Sequence, residues 1–399
     1  VAACPWNGAH RLLRIALRAV PVQFAGRRPG HYVFLVDVSG SMDQPDKLPL
    51  VQQALKLLAG QLTGQDLVSI VAYAGAAGVV LPPTAAADRS ALEAAIENLQ
   101  AGGSTAGGEG IQLAYALARE RFVPGGINRV ILATDGDFNV GVSSEGELTR
   151  LIEEQAKSGV FLTVLGFGTG NLQDAKMEAL ADRGNGQFAY IDSPLEARRA
   201  LVEQAGGTLV TVAKDVKIQV EFNPAEVAAY RLIGYENRLL AAEDFRDDAK
   251  DAGEIGAGHS VVALFEIVPP AAAPAVERPV DPLRYQALKP SEASASGELG
   301  TVKLRFKAPD GETSVERAFV VMDTGRGPGE ATSELKFAAS VAAFGMVLRD
   351  SPHRGGASIE LVRSLAEAGL AYDPDGQRAG FLQLVDQAGA VIGTPVAGR

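Results

Sequence analysis

Asp37, Ser39 and Ser41 stand on alternate residues in the phrase DVSGSM, at the end of an apolar run. Alternate residues of an extended segment point the same way, so three oxygen-bearing side chains can converge on one point. Asp135 follows a second apolar run in the phrase TDGD, and Thr105 sits in the glycine-rich stretch 102–110, GGSTAGGEG. Two carboxylates and three hydroxyls are hard oxygen donors, the chemistry that suits Mg²⁺, Mn²⁺ or Ca²⁺. The glycines allow backbone turns that other residues resist. DVSGS on its own would read equally well as a helix-capping loop. Asp43 and Asp137 read as capping or solvated acids, and Asn139 as a turn residue. The acidic run 243–254 lacks the spacing of a calcium-binding loop and reads as a solvated loop.

Enzyme chemistry fits these residues less well. Ser104 in GGSTA approximates a nucleophile elbow, but an elbow follows a strand, and a helical pattern over 88–99 precedes it here. GFGTGN (166–171) follows a strand as a dinucleotide fingerprint would. However, Asn171 replaces the third glycine, and the domain's first strand should carry that loop. No Gly-x-x-x-x-Gly-Lys phosphate loop occurs in the chain. Asp37 as a magnesium-assisted nucleophile lacks an evident second carboxylate on its strand or a lysine beside the site. The expectation is therefore a protein that binds rather than catalyses.

The elements that must position these side chains are legible in the patterning. Runs at 32–38, 67–73, 129–134 and 160–166 are apolar throughout, as strands buried on both faces of a parallel sheet are. Leu48, Val51, Leu55, Leu58 and Leu62 step by three or four and predict a helix with one apolar stripe. Ile111, Tyr115, Ala118 and Phe122 predict another. Ser90 with Glu93, Ser144 with Glu147, and Ser193-Pro194 with Glu196 read as helix starts. Residues 31–205 thus read as a doubly wound α/β domain, in which ligands bind at the carboxyl ends of the strands.

Outside that stretch the period changes to two. Leu13, Ile15, Leu17 and Ala19 alternate with Arg14 and Arg18, predicting a half-buried strand over 12–24 with one wet face. Residues 216–222 and 301–306 alternate likewise, and with 261–268 and 313–321 they suggest an antiparallel sheet or sandwich. A lone strand is not stable, so segment 1–30 is expected to pair with the β domain at 206–325, making 31–205 an insertion. Six prolines in 269–299 predict a mobile connector. Residues 326–399 read as helical, with Phe337, Val341, Phe344 and Leu348 as one stripe and Ile359, Val362 and Leu365 as a second. A third short helix is expected over 377–388.

Composition bounds the rest. The 399 residues suffice for about two to three domains. Hydrophobic residues make up 47% and charged residues 21%, an ordinary folded composition. Thirty-seven basic against 48 acidic residues leave a net charge of −11, which disfavours nucleic acid as a partner. One cysteine, Cys4, permits no internal disulfide and no cysteine-based metal site. The charge-free run 67–87 is broken by Gly75, Gly78, Pro82 and Pro83, so it reads as strand, turn, strand and not as a membrane span.

The set Asp37-x-Ser39-x-Ser41, Thr105 and Asp135 resembles the complete metal-ion-dependent adhesion site of von Willebrand factor type A domains, across roughly residues 31–205. The phrases CPWN (4–7), TDGDFNVG (134–141), GYENR (234–238) and DAGEIGAGH (251–259) resemble the bacterial, envelope-associated YfbK-like subfamily. The resemblance implies a Rossmann-like domain joined to a β-sandwich-like domain and C-terminal helices. It implies a divalent cation, Mg²⁺ or alternatively Mn²⁺ or Ca²⁺, at the five residues, which would receive an Asp or Glu carboxylate from a protein partner. An adaptor for an ATPase machine, or a structural role in which the ion only stabilises the fold, are the alternatives. It also implies a cell-envelope location, periplasmic or membrane-anchored, with a cytoplasmic one left open, and a longer precursor with a signal or lipid anchor ahead of Val1. VAAC (1–4) resembles a lipoprotein cleavage box, but no apolar run precedes it.

Overall fold

The computed structural model describes the chain except for residues 21–26, 104–106, 137–144, 170–172, 204–209, 235–238, 249–251, 274–290, 310, 312, 372, 374–375 and 393–399. Thr105, Asp137 and Asn139 lie outside the described residues, as do Ser144 and most of the proline-rich connector.

The centre of the α/β part is a six-stranded sheet. Its strands are β3 (Gly30–Asp37), β4 (Leu67–Tyr73), β5 (Ala77–Ala85), β6 (Ile127–Thr134), β7 (Phe161–Phe167) and β8 (Phe188–Ile191). The spatial order is β5-β4-β3-β6-β7-β8. Only β5 runs antiparallel, as the return strand of a hairpin with β4. From β3 the chain winds outward to β5 on one side, then restarts at β6 and winds to β8 on the other. The switch point therefore lies between β3 and β6, which pair directly from Gly30↔Ile127 to Val36↔Ala133.

Every residue of β3 is buried, because helices cover both faces. Tyr32, Phe34 and Val36 pack with Val51, Leu55 and Leu58 of α1 (Leu48–Gln61) and with Leu92 and Ile96 of α2 (Arg89–Glu97). Val33 and Leu35 face the opposite layer: Ile111 and Tyr115 of α3 (Gly107–Glu120), Leu148 and Ile152 of α4 (Glu145–Lys157), and Leu180 of α5 (Asp174–Arg183). The expected α1 stripe is buried throughout. Phe122 is not part of the α3 stripe: it lies beyond the helix end and is 39% exposed. Ser193 caps α6 (Pro194–Arg198) by accepting from Glu196 N–H at 3.2 Å, as expected. The cap of α2 is Asp88, not Ser90: Asp88 accepts from Ala91 N–H, and Ser90 donates to Asp88.

The remaining strands form two antiparallel sheets. One has the order β1-β2-β12-β10, from Ala2–Cys4, Asn7–Arg18, Ser260–Val268 and Ala229–Ile233. The other has the order β11-β9-β13-β14, from Gly253–Gly256, Thr211–Phe222, Gly300–Lys307 and Val315–Val321. β2 pairs with β12 from Arg18↔Ser260 to Arg11↔Ile267, so strands before and after the α/β segment share a sheet. Leu13, Ile15, Phe265 and Ile267 of one sheet meet Val302, Val220 and Ile218 of the other, which makes a sandwich core.

The first long strand begins at Asn7 and ends at Arg18, so its N-terminal end is earlier than the expected position 12 and its C-terminal end is short of 24. Its second face is not simply wet. Leu12 and Leu264 point to the C-terminal helices α7 (Ser333–Leu348), α8 (Ile359–Ala368) and α9 (Gln377–Ile392), against Leu335, Phe344, Val362 and Val385. The buried stripe of α7 is Leu335, Ala339, Ala343 and Met346 with Phe344, whereas Val341 and Leu348 are 44% and 53% exposed. Counting only large side chains hid that stripe, because alanines form its centre and let the helix approach closely. In the run 243–254 the described residues 245–248 are pinned, not merely solvated. Phe245 is buried, Lys217 and Lys307 donate to the carbonyls of Asp247 and Asp248, and Arg305 donates to the Asp248 carboxylate. Among the described residues no helix is long and apolar enough to cross a membrane.

Candidate functional site

Asp37 is the last residue of β3 and Asp135 follows the last residue of β6, so both stand at carboxyl ends beside the switch point. Both are fully buried. Asp37 Oδ1 accepts from the Ser39 N–H at 2.9 Å. Its Oδ2 accepts from the hydroxyls of Tyr73 and Thr134, each at 3.1 Å. Burial pushes the Asp37 carboxyl above its usual range and Asp135 adds to the push, while hydrogen bonds from Ser39 and Thr134 oppose it only partly. Tyr73 is driven up as well, first by burial and then by Asp37.

Ser39 is buried and leads the short helical turn Gly40–Met42, whose buried Met42 plugs it into the core. The Ser39 and Ser41 hydroxyls lie 3.1 Å apart. Two backbone bonds tie this turn to the glycine-rich loop: Gly102 N–H to the Val38 carbonyl at 2.7 Å, and Gly40 N–H to the Gly103 carbonyl at 3.0 Å. Gly103 adopts φ +86°, a conformation that side chains resist. The loop is thereby held against the Ser39 turn two residues before Thr105, which itself lies outside the described residues. Asp43 is exposed and closes the short turn, matching its reading as a loop acid.

Sequence reasoning missed three residues here. Tyr73 ends β4 opposite Asp37 in register, and Thr134 immediately precedes Asp135, so the last residue of each central strand was the available signal. The third is Lys47, whose ammonium donates to Asp135 Oδ2 at 2.9 Å although the residue is only 3% exposed. No spacing pattern announces it. It overturns the expectation that no lysine stands beside the site. Asp37 nevertheless has both oxygens engaged by donors, which suits a fixed acceptor better than a nucleophile.

The donor set fits a hard divalent cation. Paired hydroxyls, backed by buried carboxylates, offer oxygen and little else. Among the described residues no three His, Cys, Asp or Glu side chains group to hold a metal, and the paired oxygens at this end of the sheet are the Ser39 and Ser41 hydroxyls.

Two family models match the chain: the von Willebrand factor type A domain over residues 32–204, and "Uncharacterized protein YfbK, C-terminal" over residues 207–391. The chain is similar to the uncharacterized protein YfbK of Escherichia coli K12, with 40% identity over 392 residues, covering 98% of this chain and 67% of that protein. It is also similar to an uncharacterized protein of Synechocystis, with 33% identity over 193 residues, covering 47% of this chain and 44% of that one. A solved von Willebrand factor type A structure from Catenulispora acidiphila aligns over 90% of this chain and 87% of its own, at 17% identity and a TM-score of 0.47.

Proposed function

This chain belongs to the YfbK-like family of von Willebrand factor type A domain proteins, and from that premise we propose that its α/β domain is a divalent-cation-dependent protein-binding module. Type A domains are commonly protein-interaction modules. The observation that carries the reading is the pair of hydroxyls, Ser39 and Ser41, backed by buried Asp37 at the switch point of the sheet. Ser39, Ser41 and Thr105 would hold Mg²⁺, or alternatively Mn²⁺ or Ca²⁺, with Asp37 and Asp135 as supporting carboxylates. A divalent ion bound there supplies positive charge that neutral hydroxyls do not cancel, and so attracts a partner's Asp or Glu. Asp37 keeps the Ser39 turn in place through its backbone bond. The glycine loop is tied to the Ser39 turn at Gly102 and Gly103, two residues ahead of Thr105 in the sequence.

The two alternatives draw less support. An ion needed mainly for folding would leave its carboxylates unpaired without it. Here Asp37 has three donors and Asp135 has Lys47. No particular observation favours an ATPase adaptor. An envelope location is proposed from the family likeness alone, and membrane fractionation tests it. The binding function is tested by affinity capture in magnesium, with and without chelator, alongside circular dichroism. The expected outcome is release of the partner with the fold retained. A partner retained in chelator refutes the reading, and so does loss of the fold together with the partner.

A further inference from the structure

Lys47 sits where lysines are rarely found. The Lys47 and Asp135 side chains are 4% and 0% exposed, and Nζ lies 2.9 Å from Oδ2. Taking an ammonium out of water costs several kcal/mol unless a partner compensates, so such placement needs support from the surrounding structure. That support is visible. The Lys47 N–H donates to the Gln44 carbonyl at 3.0 Å, and its own carbonyl accepts from Val51 N–H at 2.8 Å at the head of α1. The methylene stem runs over Gly168, where a Cβ would stand 2.5 Å from Cε and 2.8 Å from Cγ. Gly168 has φ +76°, and its carbonyl accepts from the Tyr190 hydroxyl at 3.1 Å. This glycine belongs to the phrase GFGTGN, in which Asn171 stands where a dinucleotide fingerprint has its third glycine; here Gly168 seats the lysine.

We propose that Lys47 is a resident counter-cation that limits how tightly the site holds a divalent ion and so leaves that ion under-neutralised. The inference rests on the metal-site reading above. The charge balance carries it. Among the described residues at the site, Asp37 and Asp135 bring two negative charges, and Lys47 returns one. A divalent ion among two carboxylates alone would be neutralised from within the protein. With Lys47 in place one positive charge is left over, and the hydroxyls of Ser39 and Ser41 cannot cancel it. The same ammonium repels the arriving ion across a buried, weakly screened distance. Lys47 thus lowers ion affinity and increases the demand for a carboxylate from outside.

Titration calorimetry of the full chain with MgCl₂ and with MnCl₂ tests this on wild type, Lys47→Met and Lys47→Arg. Lys47→Met should bind both ions roughly tenfold more tightly, from the removal of one nearby like charge. Lys47→Arg keeps the charge and should stay within about threefold of wild type by the same electrostatic argument. If Lys47→Met folds only with metal, a circular dichroism titration with MgCl₂ should restore the wild-type spectrum, since the ion then balances Asp135. A Lys47→Met protein that binds the ions no tighter than wild type overturns the inference, and so does one that MgCl₂ cannot refold. Wild type taking up neither ion would instead refute the site reading, and this inference with it.

Discussion

Two buried carboxylates in this protein have opposite fates. Glu266 on β12 is met by Trp6 Nε1 at 3.0 Å, by His10 Nδ1 at 2.6 Å and by the Arg231 guanidinium. Burial alone would raise its pKa, but these partners outweigh burial and hold the carboxyl below its ordinary value. Asp37 on β3 is also buried and also accepts three hydrogen bonds, yet its carboxyl is pushed up. The difference is in the neighbours. Glu266 has a cation and strong donors from β1–β2 and β10, which join the sheet and reach toward α7. Among the described residues Asp37 has neutral donors and a second carboxylate close by, while Lys47 pairs with Asp135. Glu266 is therefore a fastener whose charge is balanced on the spot. Asp37 has no such balance from its three hydrogen-bond donors, and the proposed ion site rests on that contrast.

Substituting the fastener should cost the most. Glu266→Gln leaves the partly buried Arg231 without its charge partner and should lower stability by about 3 kcal/mol or more, the usual scale for breaking such a pair. Urea denaturation of the full chain measures it. A loss below about 1 kcal/mol, the scale of an exposed pair, would remove the contrast.

Asp37→Asn should do the reverse. It keeps the shape, removes the charge and changes urea stability little, while Mg²⁺ affinity falls roughly 10- to 100-fold, as when a metal's supporting group is lost. Calorimetric titration checks it, and unchanged affinity would place Asp37 with Glu266 as a structural acid.

Acid should act on the fastener's side. Glu266 and Asp66 both have folded-state pKa values below their ordinary ones. At Asp66 burial opposes the shift and is outweighed by Arg27 and by the Thr63 and Gly30 N–H groups. Their contribution is thus complete above their ordinary values, 4.5 and 3.8, and disappears as pH falls through the depressed folded values. Urea midpoints measured from neutral pH downward should decline across that window. Glu266→Gln should flatten the part of the decline that belongs to Glu266.

The smallest effect expected is that of chelator on wild type. Its carboxylates are already hydrogen-bonded by Lys47, Tyr73, Thr134 and the Ser39 N–H, so EDTA should shift the melting temperature by no more than about 1 °C, which is about 1 kcal/mol or less for a chain this long. A collapse of the fold in EDTA would make the ion structural.

Most of the α/β architecture was legible in the sequence because its signals are local. Apolar runs mark doubly covered strands, stripes at helical spacing mark α1 and α3, and Ser193-Pro194 marks a cap. The alternation in 12–24 also identified a strand that could not stand alone, and β2 does pair with β12. Local signals erred where neighbours compete. Asp88 took the cap that Ser90 was expected to hold, and alanines formed the face of α7 that larger residues were expected to form.

The sequence by itself determined which oxygen donors exist and that they fall at strand ends, because residue type and alternation are properties of a short segment. Only the tertiary structure decided what each carboxylate faces. Lys47 and Asp135 are 88 residues apart, and Trp6 and Glu266 are 260 apart. A flexible ammonium stem can reach many places along a chain. It ends on Asp135 because the N-terminal end of α1, the seat at Gly168 and the carboxyl end of β6 come together only once the sheet is wound.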